Sequence, residues 1–490
     1  MSWTRAESIG LVGLYWPIAY PFIRRSTVTQ PTEQLPQAPP KAGPGNKIAE
    51  FFEFAAHGTD FRTESLAGLT TFVTMAYILI VNPAILSNAI FLNESGDLFG
   101  ELVMATGLSA ALATLVMALY AKLPFALAPG MGINAYFAFT VVLGLGIDWR
   151  VALAAVFIEG IIFILMTISN VRGKIVEAIP DAVKHATTAG IGLFIAYIAL
   201  KGAGIIVPSE ATFTTLGNLR SPQTAMALLG VGITAALFSR RVTGALLWGI
   251  LGTSVLAWLS GVSPWPTGLM AVPSAPVGLF GQAFVGLGEL FRINFWQMVS
   301  IIFVFLFVDL FDTIGTLTGL GSKAGYIDAD GKFSGVEKAF MADAVGTTAG
   351  AVLGTSTVTT YIESASGISE GGRSGFTALV TAGLFLVSML FIPLLQGIPA
   401  FATAPALIIV GVLMMSAAKN IDWDEPADAI AAFLTIIMMP LAFSIAEGLA
   451  MGLIAYPLIK AFQGKTSQTT IGMWILAAIF LLRYIFVAGG

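Results

Sequence analysis

The sequence predicts an all-helical polytopic membrane protein with about fourteen transmembrane segments in a seven-plus-seven inverted repeat. Three observations predict it: an apolar composition, apolar runs of bilayer length and a weak internal repeat. Of 490 residues, 56% are hydrophobic and 11% are charged, which is too apolar for a water-soluble domain. Runs long enough to cross about 30 Å of hydrocarbon recur from residue 65 onwards. A membrane β-barrel would instead show alternating strands of about ten residues.

Composition also excludes several functions. The net charge of -4 argues against a nucleic-acid partner. The absence of Cys excludes disulfides, thiol catalysis and cysteine metal sites, and two His are too few for a histidine metal cluster. We therefore expect no metal site and no cofactor, and the leading interpretation of the chain is not an enzyme.

Residues 1–46 differ from the rest of the chain. A short apolar piece, "IGLVGLYWPIAYPF", precedes the Pro/Gln-rich "TQPTEQLPQAPPKAGPG". Such a segment cannot bury enough apolar surface to fold by itself. We expect a disordered or interfacial extension.

The apolar runs divide into fourteen predicted spans: 65–88, 101–121, 128–146, 151–169, 183–200, 222–239, 242–261, 296–320, 339–352, 354–368, 375–395, 401–418, 427–443 and 446–463. A further run, 471–486, is a fifteenth span unless one of the short late segments is re-entrant. With the amino terminus in the cytoplasm, most Lys and Arg of the loops lie on the cytoplasmic side, as expected of a multi-pass plasma-membrane protein.

The two halves of the chain are similar in sequence. "IPDAVKHATTAGIGLFIAYIALKGAG" from Ile179 is similar to "IPAFATAPALIIVGVLMMSAAKNID" from Ile398, and "TGALLWGI" from Thr243 to "EGLAMGLI" from Glu447. These matches suggest seven repeated spans. Because seven is odd, the second copy enters the membrane upside down, as in secondary transporters.

The third and tenth segments are irregular. "LAPGMGINAYF" (127–137) is rich in Gly and Pro, and "LGTSTVTTYIES" (353–364) in Ser and Thr. We expect an extended stretch and then a half-helix in each, starting near Met131 and Thr357. Helix amino ends inside a membrane are tolerated beside a cavity, where their N–H groups can bind a ligand. This predicts a central binding site.

The eighth span carries two acids. Asp309, Asp312, Thr313 and Thr316 follow spacings of three and four and share one helix face. The first span repeats this polar stripe with Thr70, Thr74 and Tyr77.

The irregular segments add Glu363, predicted one to two turns inside the tenth half-helix, and Asn134, at the comparable place in the third. No Lys or Arg occurs in the predicted spans that carry Asp309, Asp312, Asp343, Glu363 or Glu159, so these carboxyl groups must be protonated, solvated or hydrogen-bonded. We assign Glu363, Asp309 and Asp312 to proton coupling. Carboxylates and an amide also suit a heterocycle with several ring nitrogens.

Structural explanations remain open for several of these residues. Polar side chains often join transmembrane helices, an alternative that applies to Asp343, Glu159, Thr70, Thr74 and Tyr77. For Asp312, the alternative is a structural role in which it orients Asp309 or joins its helix to a neighbouring helix. For Asn134, the alternative is that its side chain caps the exposed backbone groups where the third segment is interrupted.

Four stretches resemble signatures of the AzgA-like purine permeases, in the nucleobase-cation symporter and nucleobase-ascorbate transporter group. They are "FEFAAHGTDFRTESLAGLTTFVTMAYILIVNP", "APGMGINAYF", "FVDLFDTIGTL" and "GTSTVTTYIESASGISEGGRSG". They occur in the family's order, and the similarity runs from about residue 48 to the end. The extension before residue 47 departs from the family pattern.

The resemblance implies a fold with a core domain, a gate domain and a homodimer built through the gates. The expected boundaries are an extension at 1–46, core at 47–178, gate at 179–292, core at 293–396 and gate at 397–490.

The resemblance also implies proton-coupled import of adenine, guanine or hypoxanthine, by an elevator-like movement of core against gate. Carried over by position, the family's substrate-binding residues fall on Asp309, Glu363 and Asn134. Similarity to uracil permeases adds the backbone at Tyr361 and Ile362, and the polar helix faces add the substrate contacts Thr313 and Thr74.

The alternatives are a carrier of xanthine, uracil or another nucleobase, or coupling to Na⁺. A passive channel and an intramembrane aspartyl protease are the alternatives of another class. A protease dyad is usually assembled from two facing elements, whereas Asp309 and Asp312 share one helix.

Overall fold

The computed structural model describes residues 47–169, 179–327, 333 and 335–487. The predicted extension at 1–46 lies outside the described residues. In the first part of the chain, the helices are α1 Lys47–Phe51, α2 Phe54–His57, α3 Phe61–Met75, α4 Ile78–Leu86, α5 Phe99–Val116, α6 Met131–Ala135 and α7 Trp149–Ser169. Turns of π-helix, Met117–Ala121 and Tyr136–Gly144, extend α5 and α6, and strand β1, Leu127–Pro129, precedes α6.

The next part of the chain contains four helices and a hairpin. They are α8 Asp181–Gly202, strands β2 Ile206–Ser209 and β3 Phe213–Leu216, α9 Pro222–Ser239, α10 Ala245–Leu259 and α11 Gln282–Leu290. Strands β2 and β3 pair antiparallel and connect α8 to α9.

A third part contains α12 Phe295–Ala324, α13 Val336–Leu353, strand β4 Val358–Thr360, α14 Ser364–Ser369, α15 Gly375–Ser388 and α16 Ile392–Gln396. The chain ends with α17 Ala404–Met415, α18 Pro426–Leu441, α19 Ile445–Phe462 and α20 Ile471–Val487. Short 3-10 turns are Met389–Phe391, Ala400–Ala402, Ser416–Asn420 and Thr466–Gln468.

Within the described residues, nine helical segments are long and apolar enough to cross a membrane, judged by length and composition: 61–86, 99–121, 149–169, 181–202, 222–239, 295–324, 375–396, 400–420 and 445–462. The chain is thus a mainly helical multi-pass membrane protein. Apolar segments at 131–144, 245–259, 426–441 and 471–482 are shorter than a full crossing. The count of fourteen spans stays a prediction for this reason.

The two irregular segments meet as a pair of short strands. Strands β1 and β4 are antiparallel, with Leu127 opposite Thr360 and Pro129 opposite Val358. All six strand residues are buried. The pairing satisfies backbone groups that would otherwise be exposed to hydrocarbon.

The short helix after β1 begins at Met131, where the sequence predicts it, but the helix after β4 does not begin near Thr357. Residues 358–360 are held in the strand pair, and α14 begins only at Ser364. β-branched Val and Thr favour this extended conformation. Glu363 is therefore the residue before α14, and its predicted place one to two turns inside the helix is wrong.

Helix packing falls mainly into two groups. In the first, α3 packs on α15, α5 on α13 and α15, and α7 on α11, α12 and α13. In the second, α8 packs on α17 and α18, α9 on α10, and α18 on α19. Between the groups, α12 contacts α19, and α6, which is in neither group, contacts α8 of the second group. Helix α20 packs on α19 and α12.

Helix α12 carries the two aspartates of the eighth predicted span. It begins after Asn294, whose side-chain oxygen accepts hydrogen bonds from the N–H groups of Trp296 and Gln297. It ends at Gly325, which has a φ of 78° that few residues other than Gly adopt. Asp309 and Asp312 thus lie in the middle of a continuous helix of 30 residues.

Candidate functional site

Glu363 lies between β4 and α14 and is half-buried. Its Oε1 accepts a hydrogen bond of 2.6 Å from the Tyr77 hydroxyl, and its backbone carbonyl accepts one of 3.4 Å from Thr74. Tyr77 and Thr74 belong to the first span, so two of the three residues of the polar stripe predicted there face this site. The Asp312 carboxyl group, on α12, lies near Glu363 and near Thr359 of β4. We call Glu363, Tyr77, Thr74 and Asp312 the outer group.

Three other acids form a separate, fully buried cluster. Asp309 on α12, Glu159 on α7 and Asp343 on α13 have no solvent-exposed surface. The carboxyl groups of Glu159 and Asp309 are within hydrogen-bonding reach of each other, and Asp343 interacts electrostatically with both. We call these three acids the inner group.

Threonines supply the hydrogen bonds of the inner group. Asp343 accepts bonds of 2.8 Å from Thr313 and 3.0 Å from Thr360. The Thr347 hydroxyl contacts Asp309 Oδ2 at 3.4 Å and donates to the Val358 carbonyl at 2.9 Å. Strand β4 is thus bonded to the inner group and leads directly to Glu363 in the outer group.

Asn134 occupies the first turn of α6. Its Oδ1 accepts a hydrogen bond from the Ser356 hydroxyl, while its Nδ2 has no acceptor among the described residues. The Tyr361 hydroxyl donates a bond of 2.5 Å to the Pro129 carbonyl, which ties the two irregular segments together. The Ile362 side chain is 51% exposed.

The predicted site residues therefore do not form one cluster. Glu363, Thr74 and Asp312 lie together in the outer group, and Ile362 adjoins it. Asp309 is in the inner group, and Thr313 bonds to Asp343 there. Asn134 hydrogen-bonds to the segment that joins α13 to β4. Tyr361 hydrogen-bonds to the end of β1.

Sequence reasoning missed two kinds of residue. The predicted binding residues do not include Glu159, Tyr77 or Asp343. Each of these contacts a predicted binding residue: Glu159 contacts Asp309, Tyr77 contacts Glu363, and Asp343 contacts Thr313. Sequence reasoning also left out Thr347 and the β4 threonines. The run "TSTVTT" was the available signal, because hydroxyl groups in an apolar interior need polar partners.

No basic side chain compensates these acids. In the part of the chain that the structure describes, ion pairs involve Lys122, Arg150, Lys184, Lys460 and Lys465, and none of their partners is an acid of the inner or outer group. A carboxyl group in such surroundings depends on protonation or on hydroxyl and amide donors.

Glu64 shows what a structural buried acid looks like in this fold. It is fully buried on α3, and its carboxylate accepts hydrogen bonds from the N–H groups of Arg373 at 2.9 Å, Ser374 at 3.3 Å and Thr377 at 3.2 Å. The Thr377 hydroxyl adds a bond of 2.5 Å. Four donors at the start of α15 satisfy this carboxylate, unlike Asp309 or Glu159.

The described part of the chain encloses a cavity of about 570 Å³. It is lined by α4, the π-helix after α6, α8 and α17, together with Phe443. Its polar lining residues include Asn88, Lys201 and Thr403. None of the predicted site residues lines this cavity.

The arrangement can hold a polar, uncharged molecule and exchange protons. The outer group offers carboxyl oxygens and a hydroxyl, and Asn134 offers an amide donor. In the described ranges, no group of three or more His, Cys, Asp or Glu side chains is placed to hold a metal ion.

A helical membrane protein in which two interrupted segments meet among buried acids has the construction of a membrane transporter. The family model described as "Permease family" matches residues 62–451, and the chain belongs to this family. It is a transporter and not an enzyme, so the alternative of an intramembrane aspartyl protease is wrong.

Relatives are similar over almost their full length. A putative permease of Methanocaldococcus jannaschii is 52% identical, over 90% of this chain and 99% of that protein. The guanine/hypoxanthine permease PbuG of Bacillus subtilis is 44% identical, over 89% and 99%. The adenine permease AdeP of Escherichia coli is 40% identical, over 90% and 96%. The resemblance to purine permeases is confirmed.

The fold is similar to that of a solved transporter domain. The transmembrane domain of the cyanobacterial bicarbonate transporter BicA aligns with a TM-score of 0.56 over 80% of this chain and 97% of that domain. Sequence identity is 16%, so this likeness concerns the fold alone.

Proposed function

We propose that this protein imports purine nucleobases across the plasma membrane by proton symport. The observation that carries the proposal is the half-buried Glu363, held by Tyr77 where the two irregular segments meet. The names of relatives, including guanine/hypoxanthine and adenine permeases, support a purine as the substrate.

The chemistry of the site fits a purine ring. In this proposal Glu363 accepts hydrogen bonds from ring or exocyclic N–H groups, because an ionised carboxyl group is purely an acceptor. Asn134 offers its unpartnered Nδ2 to a ring nitrogen or carbonyl, and the backbone at Tyr361 and Ile362 completes the contact surface. Thr74, Thr313 and Asp309 hold this surface in place through Glu363, Asp343 and β4.

Proton coupling is the second part of the proposal. The transported proton is taken up by the acids Glu363, Asp309 and Asp312, which lack basic partners among the described residues. A fixed negative charge in the membrane interior is costly, so an acid that must change sides favours carrying a proton. Na⁺ coupling is the alternative, to be decided by ion substitution.

The movement is the third part. We assign the helices of 47–178 and 293–396 to a core domain, and those of 179–292 and 397–490 to a gate domain. The two groups of packed helices support this division except at α11, which lies in 179–292 but packs on α7 of the core. The antiparallel pair of irregular segments supports an inverted repeat. The core then moves against the gate as an elevator, in a homodimer held by the gates and with the amino terminus in the cytoplasm.

Uptake by reconstituted protein tests the proposal. Proteoliposomes with an inward proton gradient are given labelled adenine, guanine or hypoxanthine, with protein-free liposomes as the control. We expect accumulation above the external concentration, and its loss with a protonophore. Equilibration without accumulation would indicate a passive channel.

A competition panel then identifies the substrate and the ion. Unlabelled purines, xanthine and uracil compete with one labelled purine at two pH values, with and without Na⁺. We expect adenine, guanine or hypoxanthine to compete best, independently of Na⁺. Stronger competition by xanthine or uracil, or a requirement for Na⁺, would replace the corresponding part of the proposal.

A further inference from the structure

Glu159 is a buried acid to which the proposed substrate contacts assign no role. It lies on α7 at a point where α13 is very close, since a Cβ on the neighbouring Gly160 would meet the Thr348 backbone nitrogen at 2.9 Å. The small Gly160 thus lets α7 approach α13 closely. On the same helix, the Glu159 carboxyl group is within hydrogen-bonding reach of Asp309 of α12. Close packing leaves Glu159 little freedom to turn away.

The hydrogen bonds of this pair are incomplete. Glu159 Oε2 has the Thr357 hydroxyl at 3.4 Å, and Asp309 Oδ2 has the Thr347 hydroxyl at 3.4 Å. The other oxygens, Glu159 Oε1 and Asp309 Oδ1, have no donor among the described residues. Two ionised carboxylates in this contact would repel each other and leave both oxygens unsatisfied.

The charged groups around the pair add no compensation. Asp343 faces both acids from α13, and Asp312 acts on Asp309 from the same helix. Glu289 of α11 is exposed, and β4 contains no ionisable residue. None of the ion pairs in the described part of the chain includes Glu159 or Asp309.

We propose that Glu159 and Asp309 share one proton and that this carboxyl–carboxylate pair holds the transported proton. The inference rests on the proposed proton symport and specifies where the proton resides. Uptake of one proton converts two carboxylates into one carboxylic acid donating to one carboxylate, and release restores both charges. Glu159 is thus a proton-carrying residue that does not touch the substrate.

Strand β4 connects the pair to the substrate site. Thr357, next to Glu159, immediately precedes the strand, and Thr347 joins Asp309 to the Val358 carbonyl of the strand. The strand then leads to Glu363. A change of charge on the pair would act on these hydroxyl contacts and through them on the strand, which gives a physical route for coupling.

Infrared difference spectroscopy of the reconstituted protein tests the shared proton directly. On raising the pH, we expect wild-type protein to lose a C=O stretching band of a protonated carboxyl group. Glu159→Gln should lose the part of this band change that belongs to the pair, because the Gln amide donates to Asp309 permanently, while any contribution from Glu363 and Asp312 remains. Glu101→Gln is the matched control, since its oxygen can keep the acceptor role toward the Gly278 N–H. An unchanged band in Glu159→Gln would overturn the inference.

Transport by the same variants separates coupling from movement. For Glu159→Gln we expect purine-driven proton uptake to fall about tenfold or more, while exchange of internal for external purine continues. Glu159→Asp keeps an ionisable group and should keep proton uptake at a reduced rate. Equal loss of exchange and proton uptake in Glu159→Gln would indicate a structural role and overturn the inference.

Two controls keep the outcomes distinct. If wild-type protein moves purine without protons, the proposed symport fails. If the wild-type protein and Glu159→Gln both couple purine transport to proton transport with the same pH profile, the role assigned to Glu159 is wrong and the proposed symport stands. If Glu159→Gln does not fold, Glu159→Asp decides, because a pH-dependent carboxyl band identical in position and size to the wild-type band would contradict the shared proton.

Discussion

The Tyr77 hydroxyl and the Glu363 carboxylate, 286 positions apart in the chain, are joined by a hydrogen bond of 2.6 Å. Tyr77 lies between the two helices of the first predicted span, α3 and α4, and Glu363 lies between β4 and α14. Both are therefore at interruptions of regular structure. The bond orients the carboxylate at the junction of the irregular segments.

Removing this hydroxyl should weaken substrate binding. Tyr77→Phe deletes the donor to Glu363, and we expect KM to rise about tenfold, as for the loss of about 1.4 kcal/mol of a hydrogen bond to a charged group. The measurement is initial uptake of labelled purine as a function of concentration. Tyr120→Phe, at a tyrosine that is 51% exposed, is the matched control. An unchanged KM in Tyr77→Phe would remove this bond from the binding site.

Replacing the acids should separate binding from accumulation. Glu363→Gln keeps an acceptor for Tyr77 but does not titrate, so purine binding should survive better than accumulation against a gradient. Glu363→Ala or Asp309→Ala should lower uptake about 30-fold or more, the cost of leaving buried polar partners unsatisfied. Binding to purified protein, uptake and the amount of protein in the membrane are measured together. Equal loss of binding and accumulation in Glu363→Gln would contradict its proton role.

Glu64 should matter for stability. Glu64→Ala leaves the N–H groups of Arg373, Ser374 and Thr377 without their acceptor at the start of α15, and we expect a loss of about 3 kcal/mol. Thermal unfolding in detergent measures it. Glu50→Ala, at an exposed position, should leave the midpoint unchanged. A stable Glu64→Ala protein with an altered pH profile of uptake would instead place Glu64 among the coupling acids.

Glu425, in the loop before α18, should make stability depend on pH. Hydrogen bonds from Lys460 and Lys465 lower the pKa of Glu425 to about 2, although partial burial acts in the opposite direction. A lowered pKa means that the stabilisation is fully present above the ordinary Glu pKa of about 4.3 and is lost as the pH falls toward 2. Glu425→Gln removes this contribution.

The comparison of unfolding curves checks this sign. Wild-type protein should unfold at a higher temperature than Glu425→Gln at about pH 7, and the difference should shrink between about pH 5 and pH 3. Glu370→Gln, at an exposed acid, is the control. A difference that grows as the pH falls would contradict the ion pair with Lys460 and Lys465.

Part of the site could be read from local sequence. The start of α6 at Met131 follows from the Pro-Gly pair before it, because Pro129 and Gly130 disfavour a continuous helix. The polar stripe that includes Thr74 and Tyr77 follows from helical periodicity. The start of α14 was misplaced because β4 is held by β1, more than 200 residues earlier, and local periodicity contains no information about such a partner.

The sequence by itself determined the membrane class, the polar helix faces, the two irregular segments and the resemblance to purine permeases, because these depend on composition and on patterns within one segment. The tertiary structure alone decided that Glu363 pairs with Tyr77, while Asp309 lies with Glu159 and Asp343. Burial and hydrogen-bond partners are set by which helices pack together. In a membrane interior that offers no water to an unpaired carboxyl group, that packing determines what each acid can do.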